Sequence, residues 1–84
     1  MFTEEKRKKI LDGAYCVTRA GKKAKLIYTS NYGEKLSHLF IILDNELKMD
    51  YPVRLNYNFK FNDTYESIFD IIDLWTNHLY VNNH

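Results

Sequence analysis

Val53-Arg54-Leu55-Asn56-Tyr57-Asn58-Phe59-Lys60-Phe61 carries an apolar residue at every odd position and a polar one at every even position. Successive side chains of a strand point to opposite faces, so the stretch predicts a β-strand with one dry face and one wet face. On a helix the same apolar groups would scatter around the circumference. Asn58 offers an alternative, because a tight turn there would split the strand in two.

The flanking sequence extends this pattern upstream. Leu47, Met49 and Tyr51 alternate with Lys48 and Asp50, which predicts another one-sided strand. Pro52 has no N–H to give to a ladder and marks a bend or an edge. Leu39-Phe40-Ile41-Ile42-Leu43 is apolar on both faces and bounded by turn signals, the pattern of a central strand covered on both sides. Residues 15–18 and 23–29 read as a hairpin around Arg19-Ala20-Gly21-Lys22, with Gly21 able to take positive φ.

The two ends read as helices. Thr3 caps a first helix, Glu4 and Glu5 sit at its positive end, Lys6 to Lys9 follow, and Gly13 stops it. Only Phe2, Ile10 and Leu11 offer apolar docking there, so this helix is expected to be mostly solvated. Asp63-Thr64-Tyr65-Glu66 has the form of a capping box, and Ile68, Ile72, Trp75 and Leu79 recur at helical spacing. That spacing predicts an amphipathic helix over residues 64–79, with Glu66, Asp70 and Asp73 on its wet side and Trp75 in the core. Residues 81–84 are expected to fray. The expected fold class is α+β. An antiparallel meander of about five strands is flanked by an N-terminal helix and a C-terminal amphipathic helix, which roofs the apolar face.

The 84 residues predict a single domain, 1–84. Seven Tyr, five Phe and one Trp supply the dense core that so short a chain needs. The lone Cys16 has no disulfide partner within the chain, and no apolar run is long enough to span a membrane. Both observations point to a reducing, cytoplasmic setting without membrane contact. The charge is segregated. Residues 1–25 hold eight Lys/Arg and three Asp/Glu, a surplus of +5, while residues 26–84 hold four and eight, a deficit of −4. Such a split suits a polar partner surface better than an enzyme cleft.

Motifs for catalysis are missing. There is no Gly-rich phosphate loop and no cysteine pair for zinc, and His38, His78 and His84 lack ligand spacing. Cys16 reads as a small buried hydrophobe and His38 as a hydrogen-bonded structural residue. The expectation is a protein that is not an enzyme, with no cofactor and no metal. The candidate partner-binding residues are the basic group Arg19, Lys22, Lys23 and Lys25, Tyr32 at the tip of a polar loop, and Arg54 and Lys60 on the wet face of the long strand. Basic side chains interleaved with aromatics suit phosphates and bases, although a solvated hairpin is the simpler account of the same residues.

The segment Val17-Thr18-Arg19-Ala20-Gly21-Lys22-Lys23-Ala24 resembles a V-T-R-D-G-R-K-V opening of short bacteriophage and prophage proteins. Ile41-Ile42-Leu43, Asp44-Asn45-Glu46, Leu55-Asn56-Tyr57 and Asp73-Leu74 take the places of later segments of that pattern, whose closing Asp-Leu implies a strand end as the alternative to a helix over residues 64–79, and Ala20 departs from the usual Asp. The resemblance implies an accessory protein of a phage or mobile element that binds and inhibits a host protein. A defence complex would be such a target, as for anti-CRISPR and anti-restriction proteins. A small nucleic-acid-binding module using the basic hairpin is the alternative expectation. A ligand sponge, which would need an oligomer to build its pocket, is a third.

Overall fold

A computed structural model describes residues 2–31 and 35–76. Its elements are α1 (Glu4–Leu11), β1 (Cys16–Thr18), β2 (Lys23–Thr29), β3 (His38–Asp44), β4 (Met49–Leu55) and β5 (Ile71–Leu74). The strands form one five-stranded sheet in the order β4-β3-β2-β1-β5, antiparallel at every pairing. This is a small α+β fold. Strands β1 to β4 are a meander, whereas β5 returns to the outer side of β1. Since β4 and β5 are both antiparallel to strands that run together, they share a direction at opposite edges. Residues 56–70 therefore cross the sheet.

The start of the chain folds as its local chemistry dictates. Thr3 Oγ1 accepts the Lys6 N–H at 3.1 Å, and the acidic and basic residues lie at opposite ends of α1. Gly13, at φ 99°, closes the helix: its N–H reaches the Ile10 carbonyl and the Ala14 N–H reaches that of Lys9. Ile10 is the one buried residue of α1. In the first hairpin Gly21 takes φ 83°, and the Thr18 hydroxyl accepts the Lys22 N–H at 3.0 Å.

The long strand expected over residues 53–61 is corrected at its midpoint. β4 runs from Met49 through Pro52 to Leu55, joining two segments that the sequence reading kept apart. Pro52 is tolerated because β4 is an edge strand. Beyond Leu55 the chain turns about Asn56, whose side-chain carbonyl accepts the N–H groups of Asn58 at 2.9 Å and Lys60 at 3.1 Å. The turn ends in Phe59 at φ 61°. Of the alternative, the turn near Asn58 is realised, with Asn56 as its organiser, but no second strand follows it over residues 56–61.

The helix expected over residues 64–79 is also corrected. Residues 64–70 are turns and bends and residues 71–74 are β5, while 77–79 and the tail 81–84 lie outside the described residues. The capping box does not act as one. Asn62 accepts the Thr64 N–H at 2.8 Å, and Asp63 is taken up by the Asn56 and Asn58 amides. Ile68 and Ile72, assigned to the buried stripe, are exposed, and Asp70, assigned to the wet face, is buried. The reason is tertiary. β1 is buried at all three of its residues and offers a free edge, and Ile71-Ile72-Asp73-Leu74 satisfies its backbone groups better than a solvated helix could.

The lid over the core is therefore the crossover and α1. Phe59 is completely buried and meets Phe2, His38 and Phe40 edge-on, with centroids 5.3, 5.4 and 5.6 Å away. It sits above Ala24, Leu26, Phe40, Ile42 and Leu55, with Ile10 and Ile71 in the same cluster. Each of the Leu, Ile and Phe side chains contributes about 1.5–3 kcal/mol on burial. On β3 only His38, Phe40, Ile42 and Asp44 are buried, and Leu39, Ile41 and Leu43 are half-buried. β3 is thus an inner strand, but its second face is not sealed as expected. Both sheet edges are blunted: β4 carries Pro52, and β5 is short, with its Leu74 N–H turned onto Asp73 Oδ1 at 2.7 Å.

Candidate functional site

The basic hairpin does not act as one group. Arg19 is drawn toward the crossover: its guanidinium lies 3.3 Å from buried Asp70 and 3.6 Å from Glu66. Asp70 also accepts the N–H groups of Phe61 and Ser67, each at 3.0 Å, so it pins both ends of the loop between them. Lys22 points the other way, onto Asp44 at 3.1 Å and onto Glu46. Asp44 accepts in addition the N–H groups of Glu46 and Leu47 and the hydroxyl of Tyr51, each at 3.0 Å. The Leu47 N–H bond leads the influences that hold its carboxyl below the usual 3.8, and burial opposes them. Arg19 and Lys22 are thus structural clasps, each neutralised by two carboxylates.

Lys23 and Lys25 alternate with Ala24 on β2 and stand away from the core. Lys23 Nζ lies 4.3 Å from the centroid of Tyr15 and 5.4 Å from that of Trp75, and Lys25 Nζ lies 5.4 Å from that of Tyr15. Trp75, expected in the core, is half-buried at the rim of the sheet. Arg54 is exposed on β4 opposite Leu39. Lys60 borders a cavity of about 830 Å³ together with Arg7, Arg19 and Tyr57. In that cavity Arg7 donates to the Tyr57 carbonyl at 2.6 Å and stacks 3.8 Å above its ring. Tyr32 lies outside the described residues. The structure therefore pairs Lys23 with Lys25 and Arg19 with Lys60, and sets Lys22 and Arg54 apart.

The sequence reading missed an apolar groove. Its cavity of about 590 Å³ is bounded by Ala20, Leu47, Met49, Ile68 and Phe69, with the Lys22–Asp44–Tyr51 cluster in one wall. Leu47, Met49 and Ile68 are 62%, 53% and 60% exposed. Leu47 and Met49 were visible as apolar positions, but nothing local announces that the crossover brings Ile68 beside them.

No family model, curated protein or solved structure matches this chain. The chemistry must be read from the residues themselves. Cys16 Sγ, against the Ala24 carbonyl at 3.4 Å, is fully buried, and burial pushes its thiol up to about 12. A thiol so protonated is a poor nucleophile. His38 bonds Thr29 Oγ1 through Nδ1 at 2.9 Å, and its Nε2 is buried without a hydrogen-bond partner. Burial first, and then the charge of Arg7, holds its pKa below 6.5. Among the described residues no cluster of three or more His, Cys, Asp or Glu could hold a metal, and no helix is long and apolar enough to cross a membrane.

Proposed function

We propose that this protein is a non-enzymatic accessory factor of a phage or mobile element. It binds a host protein, such as a nuclease or a component of an anti-phage defence complex, and inhibits it by steric block. The observation that carries this reading is the apolar groove. Leu47, Met49 and Ile68 keep most of their surface in water around a concavity deep enough to take a partner's apolar side chain. Apolar side chains exposed around a concavity are the kind of surface on which protein contacts are built. The groove stands on rigid supports, because Asp44 and Asp70 lock the two turns that form its walls. A rigid surface loses little conformational freedom on binding.

The test is affinity capture from host lysate with the wild-type chain and with Leu47→Asp and Ile68→Asp. Both positions are exposed, so both variants are expected to fold. One host protein should be recovered by the wild type and lost by both variants, and its activity should fall when the wild-type chain is added. Recovery of the same proteins by all three chains refutes the groove as the contact. A captured enzyme whose activity is unchanged refutes inhibition.

A further inference from the structure

A second surface lies at the rim where β1, β2 and β5 meet, and the groove has no part in it. The Trp75 N–H donates to the Tyr15 carbonyl at 3.0 Å, which extends the β1–β5 ladder by one pair and brings the two residues to the same end of the sheet. Lys23 reaches both rings and Lys25 reaches Tyr15, at the distances given above. A cavity of about 500 Å³ is bounded by Lys9, Tyr15, Lys23 and Trp75. A neighbouring cavity of about 430 Å³ shares Lys23 and Trp75 and continues to Gly21, Leu43 and Asn45. The two make a track along the rim. Among the described residues no ion pair involves Lys9, Lys23 or Lys25, whereas Arg19 and Lys22 each meet two carboxylates. The hairpin has spent two of its cations on structure and left the other two beside aromatic rings.

We infer that this rim is a binding site for single-stranded nucleic acid, with Lys9, Lys23 and Lys25 meeting phosphates and the exposed Tyr15 offering a ring face to a base, Trp75 standing beside them as the reporter. Ammonium groups alone would suit any polyanion. An exposed ring set among them favours a ligand that carries aromatic groups as well as charges, which describes a nucleotide chain and not an acidic peptide. Paired bases present edges rather than faces, so a duplex would use the cations and leave the rings idle.

Trp75 is the only tryptophan in the chain, so its emission reports on this site directly. The probe is an oligothymidylate of about 12 nucleotides, within the span that small single-strand binders cover. Saturable quenching is expected, with affinity falling against salt at a log–log slope of about −2 for three lysines on a single strand. Tyr15→Ala and Lys23→Glu should each weaken binding about tenfold or more, and Tyr15→Phe should retain it. Lys48→Glu, the same charge change on the β3–β4 turn, should alter it less than threefold. Lys23→Gln replaces Lys23→Glu if the latter does not fold, as judged by circular dichroism. Absent quenching, an unchanged affinity in Tyr15→Ala, or equal affinity for polyglutamate or for duplex would each overturn the assignment. Leu47→Asp should leave oligothymidylate binding intact, so failure here and failure of the groove are separate results.

Discussion

Phe59 decides whether residues 53–61 are one strand or a strand followed by a turn, and two substitutions separate these cases. The side chain is completely buried and touches three other aromatic rings. Phe59→Ala is expected to cost about 3–5 kcal/mol, because the lost transfer energy is joined by a cavity that the neighbours fill only in part. A chain of this size has about 4–12 kcal/mol in all, so the substitution removes a large share of its stability. Phe59→Gly removes one buried carbon more, about 0.8 kcal/mol, and otherwise differs in its backbone. At φ 61° an L-residue bears about 1–2 kcal/mol of left-handed strain that glycine does not. Within an extended strand, glycine would instead be worse than alanine by roughly 0.5–1 kcal/mol. Urea unfolding at fixed pH, followed by Trp75 fluorescence and circular dichroism, gives both stabilities. The relieved strain offsets the missing carbon, so the glycine variant should equal the alanine variant or exceed it by up to about 1 kcal/mol. A glycine variant less stable than the alanine variant by more than about 1 kcal/mol would show that Phe59 lies in a strand and that the crossover begins elsewhere. A loss below about 1 kcal/mol in Phe59→Ala would show that the residue does not plug the core.

Two further outcomes follow from buried polar groups. Asp70→Asn puts an amide where two backbone N–H groups and Arg19 all donate, which strands at least one donor, so a loss of about 1–3 kcal/mol is expected in the same assay. A loss under about 0.5 kcal/mol would mean that water replaces the carboxylate without penalty. For His38, whose folded pKa lies below 6.5, the neutral ring is the form the fold accepts. Its contribution is complete above that value and is lost as pH falls through 6.5 toward the folded pKa, because only the unfolded chain takes up the proton there. Urea midpoints measured downward from pH 7.5 should therefore decline in the wild type over that range and stay flatter in His38→Phe; parallel profiles would refute the assignment. Below the carboxylate range both chains should weaken again, as Asp44 and Asp73, each held below 3.8, take up protons.

The legible features of this chain were those whose causes are local. Thr3 and Gly13 mark the ends of α1 because caps act within one turn of backbone. Gly21 marks the first hairpin, the alternation about Ala24 and Leu26 marks β2, and the apolar run from Leu39 to Leu43 marks β3 as an inner strand. The α+β class follows from that much, but the set of strands does not: the two expected over 47–51 and 53–61 are the single β4, and β5 lies where a helix was expected. The candidate site was half legible. Lys23 and Lys25 stand together as their spacing requires, but the spacing cannot say that Arg19 and Lys22 are taken up by carboxylates 22 to 51 residues away.

Tertiary structure decided what residues 56–74 would become. Their pattern is satisfied equally well by a strand running on to Phe61 and a helix from Thr64, or by a turn, a crossing loop and a short strand. Hydrophobic period measures which side chains want to leave water and says nothing about where an unpaired edge is waiting. The exposed backbone of β1 settled the matter, since N–H and C=O groups buried without partners cost more than any helical propensity in Ile68–Leu74 could return. With that edge filled, Phe59 became the lid, Ile68 was left at the groove and Trp75 came to rest beside Lys23.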